Sequence, residues 1–335
     1  MGSSAQTDVD LERHRKELTA HCYRMLGSAF EAEDAVQETM VRAWRGQAAF
    51  EGRSSVRSWL YRIATNVCLD MVGAGQRRAR PMDLTSPGTP SSMVDSGLPE
   101  AAWVGPIPSH RVLAADPAET AVARESVRLA FVAALQRLPP KQRAVLILRD
   151  VLAWSAAETA DLLHLTVASA NSALQRARAT LGAEAFATEP DAKALDEAEL
   201  RLLDQYLDAF ERFDINALTG LLHEDAVLNM PPIQLWLRGA QNLREWWSGT
   251  GGVCRGSRLL PVRVNGGVGF AQYHEAGAKP WSIQVLETSD GKIDAITYFL
   301  DTPRLFPLFG VAPTFAENEG DASVEFTARS PRQTP

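Results

Sequence analysis

Cysteine is nearly missing from this 335-residue chain: Cys22, Cys68 and Cys254 stand far apart. Three scattered thiols build neither a disulfide framework nor a zinc spacing, so they are read as small buried apolar side chains, with no metal or cofactor expected. Long apolar runs are missing too, since no stretch approaches the roughly 20 residues a membrane helix needs. The opening MGSSAQTDVDLERHRKE has no basic segment leading into an apolar one. A secretion signal is therefore not expected, and the cytoplasm is the expected compartment. Positive charge is also in deficit, with a formal net charge of -7. That excludes a surface that binds nucleic acid all over, because phosphate contacts need positive potential, so any DNA binding has to be local. Two stretches supply it without an acid among them: 73–82 with Arg77, Arg78 and Arg80, and 162–183 with His164, Arg176 and Arg178.

What is present is ordinary for folded protein, 45% apolar and 22% charged, in a length that suits two or three compact units. A helical block over 11–80 gives way to Pro81, Pro87, Pro90, Pro99, Pro106 and Pro108 among serine, threonine and glycine, a composition that predicts a linker over 81–115. A second helical block over 116–186 follows. A third unit, 196–312, opens with one long helix and continues in β-branched and aromatic runs between glycine turns, an α+β pattern. The segment 313–335 is rich in Glu, Ser, Thr and Pro and is expected to form a flexible tail.

In the first block, Ala32, Ala35, Val36, Met40 and Ala43 recur at helical spacing, with Asp34, Gln37 and Glu38 on another face. That polar face is either a solvated surface or a partner surface. The next helix turns Val56, Leu60, Ile63, Val67 and Met71 inward and sets Trp59, Arg62 and Asn66 on a separate strip. An aromatic ring, a guanidinium and an amide suit unstacked bases and phosphate, although a core tryptophan with solvated neighbours would read the same way. In the second block, two prolines open a helix, and Ser155 with Glu158 forms an S-x-x-E capping box before the next. Thr166 is positioned to cap a third helix that ends Gln175-Arg176-Ala177-Arg178, so the block predicts a helix-turn-helix with a basic recognition helix.

The run HCYRMLGSAFEAEDAVQETMVRAWRGQAAFEGRSSVRSWLYRIATNVCLDMVGAGQRR resembles region 2 of extracytoplasmic-function (group IV) sigma factors, and LPPKQRAVLILRDVLAWSAAETADLLHLTVASANSALQRARATL resembles their region 4. The resemblance implies a promoter-specificity factor without catalysis of its own, made of two all-α sigma domains. It implies that Asp34, Gln37 and Glu38 bind core RNA polymerase at the β′ clamp helices. It also implies that the loop 50–55, with Phe50 and Ser54, captures a flipped base of the minus-10 element, beside Trp59, Arg62 and Asn66, while Arg77 and Arg78 meet the backbone. For region 4 it implies binding to the β flap and to the minus-35 element, with Ser169, Asn171, Ser172 and Gln175 reading bases and Arg176 and Arg178 holding phosphates. The proline-rich linker would thread through polymerase toward the RNA exit path.

The third unit, with EAELRLLDQYLDAFERFDINALTGLLHEDAVLNMPP and strands near 260–264, 269–274, 281–287 and 293–299, resembles the SnoaL-like branch of the NTF2-like fold, as in the SigG/SigX5-like subgroup of sigma factors. This implies a curved sheet around a conical pocket, for which Trp236, Trp247, His274, Trp281 and Asp301 are candidate lining residues. Asp225, His274 and Asp301 are the titratable groups to inspect for acid or base work, but none sits in a motif that specifies chemistry, so a structural or ligand-sensing role is expected. The opposed acidic and arginine-bearing segments predict that this unit contacts a sigma domain of the same chain and modulates activity.

Overall fold

The structure, a computed structural model, describes residues 10–50, 52, 54–72, 78–92, 97–113, 120–182 and 197–318. The chain divides into two compact units, Met1–Ala79 with His110–Ala192 and Arg80–Ser109 with Lys193–Pro335.

The first unit is helical. Helix α1 (Arg15–Leu26) stops at Gly27, whose φ of 72° is the left-handed cap that glycine adopts without strain. The Ser28 side chain then accepts from the Glu31 amide and starts α2 (Ala29–Gly46), and Ser55 does the same for α3 (Val56–Met71) through Ser58. The three pack around Leu18, Met25, Val36, Leu60 and Ala64, as the apolar spacing requires. The second block supplies α4 (Thr120–Glu125), α5 (Leu129–Gln136) and α6 (Pro140–Leu146), the last running on into a π-turn at Ile147–Val151. The expected capping box is formed: Ser155 accepts from the Glu158 amide and Glu158 from the Ser155 amide, opening α7 (Ala156–Leu162). Thr166 caps α8 (Val167–Leu181) by accepting from the Ser169 amide.

The second unit is a six-stranded mixed sheet with helices. It runs α9 (Glu197–Glu211), α10 (Ile215–Gly220), β1 (Leu222–Asn229), β2 (Trp236–Arg238), α11 (Ala240–Ser248), β3 (Arg258–Val264), β4 (Gly267–His274), β5 (Lys279–Ser289), β6 (Lys292–Phe299), α12 (Thr302–Phe309) and α13 (Phe315–Asn318). Strand order is β2-β1-β6-β5-β4-β3, with β1 parallel to β6 and the other pairs antiparallel. The β3–β4 hairpin turns on Asn265-Gly266, both at positive φ, the backbone that a two-residue turn between twisted strands demands. Tyr206 and Phe210 of α9 and Trp247 of α11 join Phe270, Leu286, Ile296 and Tyr298 of the sheet in one core. On the opposite face Tyr273 meets Phe306 and Phe315 edge-on, with centroids 5.2 and 5.7 Å away.

The proline-rich stretch differs from a free linker. Both sheet edges, β2 and β3, present unpaired backbone groups, and Thr85, Gly88 and Leu98 lie by one edge, Ile107, Pro108 and Ser109 by the other. The Gly88 amide donates to Trp236 O (2.8 Å), the Trp236 indole to Thr85 O (2.9 Å) and the Leu98 amide to Pro232 O (3.0 Å). At the other edge Pro108 bridges to Val264, the Asn265 amide donates to Ile107 O (3.0 Å), and the Ile107 amide donates to Asn265 Oδ1 (3.2 Å). Trp103, Val104 and Ile107 are buried. Composition indicates where a chain cannot be helical; it does not indicate that an extended, amide-poor segment has a sheet edge to lie on.

Candidate polymerase and promoter interface

On α2 the side chains turned away from the core form one continuous strip. Asp34, Gln37 and Glu38 are exposed, and Glu38 pairs with Arg42 one turn on at 2.7 Å. The strip continues through Val41, 41% exposed, and Trp44, 72% exposed. Sequence reasoning missed these two, although the three-and-four spacing 34, 37, 38, 41, 44 carries the signal. Val41 and Trp44 give the acidic strip an uncovered apolar end.

The strip expected to face minus-10 DNA is only partly assembled. Ser54 is exposed; Trp59 and Asn66 are half-buried on α3, and the Trp59 ring meets Phe50 at a tilt of 33° with centroids 4.8 Å apart. The Arg62 guanidinium donates to Asp161 of α7. Arg78 has to be withdrawn from the backbone-contacting set: its side chain is 3% exposed and donates to Glu31 Oε1 at 2.7 Å. Its charge serves the interior of the helical unit, where an ion with a good partner is tolerated. Arg77 lies outside the described residues.

On α8, Ala170, Ala173, Leu174 and Ala177 are buried, which turns Asn171, Ser172, Gln175 and Arg176 outward. Ser169 is exposed too, but its amide and hydroxyl are both engaged by Thr166 in the cap. Arg178 makes a two-pronged pair with Asp150, at 2.7 and 2.9 Å, so phosphate would have to compete with a carboxylate for it.

The five candidate pocket residues do not form one lining. Trp247 belongs to the core, and His274 stacks on Trp281 with centroids 4.0 Å apart. Trp236 lies between the core-facing Leu235 and Leu237, so strand alternation sends it to the other side, where the 85–88 segment takes its indole N–H. Asp301 precedes α12 without capping it through its side chain, which lies 3.6 Å from Arg304, and Asp225 pairs with Arg238. Inside the sheet Tyr206 donates to Gln284, Gln284 and Ser282 donate to Gln272, and Gln272 donates to Ser257, all between 2.9 and 3.1 Å, and the Gln272 amide also lies 3.3 Å from His274 Nε2. Burial, helped by the Lys279 charge, lowers the His274 pKa. Among the described residues no cluster of His, Cys, Asp and Glu could hold a metal, and no helix is long and apolar enough to cross a membrane.

The arrangement of a three-helix block with an outward acidic face and a helix-turn-helix defines a sigma-70-type initiation factor, and the comparisons agree. Residues 11–78 match Sigma-70 region 2, and residues 128–181 match Sigma-70, region 4. The chain is 42% identical over 308 residues to the ECF RNA polymerase sigma factor SigG of Mycobacterium tuberculosis, covering 90% of this chain and 82% of that protein. It is 29% identical to SigW of Bacillus subtilis over 48% of this chain and 78% of SigW. The crystal structure of the Mycobacterium tuberculosis extracytoplasmic function sigma factor SigJ shares the fold, with a TM-score of 0.60 at 23% identity, over 89% of this chain and 97% of SigJ. The chain belongs to the extracytoplasmic-function family of RNA polymerase sigma factors. Like other sigma factors it binds RNA polymerase and directs initiation at promoters.

Proposed function

We propose that the chain docks on the β′ clamp helices of core polymerase through Asp34, Gln37 and Glu38, extended by Val41 and Trp44. The observation that carries this is the strip itself, acidic at one end and aromatic at the other, with Trp44 72% exposed. In this reading Ser54, Phe50, Trp59, Arg62 and Asn66 handle the minus-10 element. Asn171, Ser172 and Gln175 read the minus-35 element with Arg176 on phosphate, and region 4 also meets the β flap. The second unit regulates rather than catalyses: the segment 80–109, which joins region 2 to region 4, is held on its sheet, so whatever stabilises or loosens that sheet acts on the connector. Contact of this unit with the sigma domains, and a small ligand for it, belong to the same reading.

The test is affinity for core polymerase together with run-off transcription. Asp34→Ala with Glu38→Ala, both on an exposed helix face, is expected to weaken holoenzyme formation at least several-fold while leaving the helical circular dichroism unchanged. Unchanged affinity sinks the assignment of this face.

A further inference from the structure

Regions 2 and 4 lie in one compact unit and share an interface that includes the Arg24 guanidinium on the Ser126 hydroxyl (3.0 Å) and three further contacts. Arg143 of α6 donates to Met25 O at the end of α1 and to Gln136, and Gln136 donates back to Arg24 O at 3.2 Å. Trp154, ahead of α7, packs on Tyr61 of α3, with centroids 5.5 Å apart. The third contact differs in kind. Arg62, on the strip offered to the minus-10 element, gives its guanidinium to Asp161 on the first helix of the helix-turn-helix, and the two side chains are 36% and 74% exposed. The Arg143 and Trp154 contacts are buried; this one is a surface ion pair that a phosphate could replace.

Promoter elements centred near minus 10 and minus 35 are separated by some two and a half helical turns, about 80 Å at ~34 Å per turn. Domains in direct contact cannot occupy both, so this packing and the promoter-bound arrangement exclude each other. We propose that Asp161 is a latch: its carboxylate stands in for a DNA phosphate on Arg62 and holds region 4 over the minus-10 strip until polymerase draws the two apart. This rests on the assignment of Arg62 to minus-10 DNA for its consequence, but the latch itself can be measured without DNA.

If binding to core polymerase requires the open form, apparent affinity scales with the open fraction however small that fraction is. Asp161→Ala, at a well-exposed position, is therefore expected to tighten core binding about two- to five-fold at low salt, the range for an exposed pair, with the gain shrinking as salt rises. Arg62→Ala should tighten core binding by a similar factor, the double variant no further, and the exchange Arg62→Asp with Asp161→Arg should restore the wild-type value. Transcription separates the two readings: Asp161→Ala transcribes at least as well as wild type, whereas Arg62→Ala binds core more tightly yet transcribes less. Core affinity indifferent to Asp161, additive single effects or failure of the exchange to restore affinity overturns the latch. Intact coupling with unimpaired transcription by Arg62→Ala overturns only the DNA assignment of Arg62.

Discussion

At the scale of single residues, burial decides what a charge or a ring can do. His21 is fully buried on α1, and its Nε2 is 2.9 Å from the Thr65 hydroxyl, which itself donates to Tyr61 O. That orientation makes His21 the donor and leaves Nδ1 without a partner. Burial, helped by the Arg24 charge, lowers the His21 pKa from 6.5 to about 3. Unfolded, the imidazole takes up a proton below about pH 6.5, while the folded protein refuses it until about pH 3. Its contribution is therefore present in full above pH 6.5 and is lost as pH falls toward 3, by about 1.4 kcal/mol per unit. Urea unfolding of the whole chain at pH 7 and pH 5.5 should show this slope, and His21→Gln should flatten it. An unchanged slope in the variant would mean that the histidine is not held neutral. Arg78 teaches the same lesson from the opposite direction: sequence places it in a basic cluster, and packing places it against Glu31 in the interior.

At the scale of elements, the helix boundaries were legible because caps are local chemistry. The Ser155–Glu158 box and the Thr166 cap depend on residues three apart, and both form as expected. Replacing Ser155 by Ala removes one side of the box and leaves the Glu158 amide without its acceptor. The expected cost is about 1 kcal/mol, read as a shift in the denaturation midpoint at constant slope. Because α7 carries Asp161 and buries Leu162 beneath the recognition helix, the same variant should bind minus-35 DNA somewhat less tightly. The strands near 260–264, 269–274, 281–287 and 293–299 were equally legible from their alternation and turns. The pocket was not, since faces of a strand follow from register, and register is set by partners distant in sequence. Trp236 and Trp247 both look like wall residues in the sequence; alternation in the folded sheet sends Trp236 away from the core that Trp247 fills.

At the scale of the molecule, the segment that separates regions 2 and 4 is structurally part of the C-terminal unit. Removing everything after Ala187 therefore does more than delete a domain. It strips Trp103, Val104 and Ile107 of their cover and frees the amides that met Trp236, Pro232 and Asn265. The truncated chain is expected to be cut by protease within 80–109 much faster than the full chain, and its run-off transcription should differ from that of full-length protein. Equal protection of 80–109 in both chains would show that the sheet does not hold the segment. Equal transcription would remove the regulatory role of the unit.

Local sequence was enough for the helical blocks, the Ser155–Glu158 and Thr166 caps, the strands from 260 to 299 and the family, because each rests on residues close together in the chain or on a long ordered pattern. Tertiary structure alone decided which charges remain available. Arg62 meets Asp161 across 99 positions of sequence, Arg78 meets Glu31 across 47, and the proline-rich stretch meets β3 across about 157. The physical reason is that electrostatic partners and sheet edges are chosen by proximity in space, which local propensity does not encode.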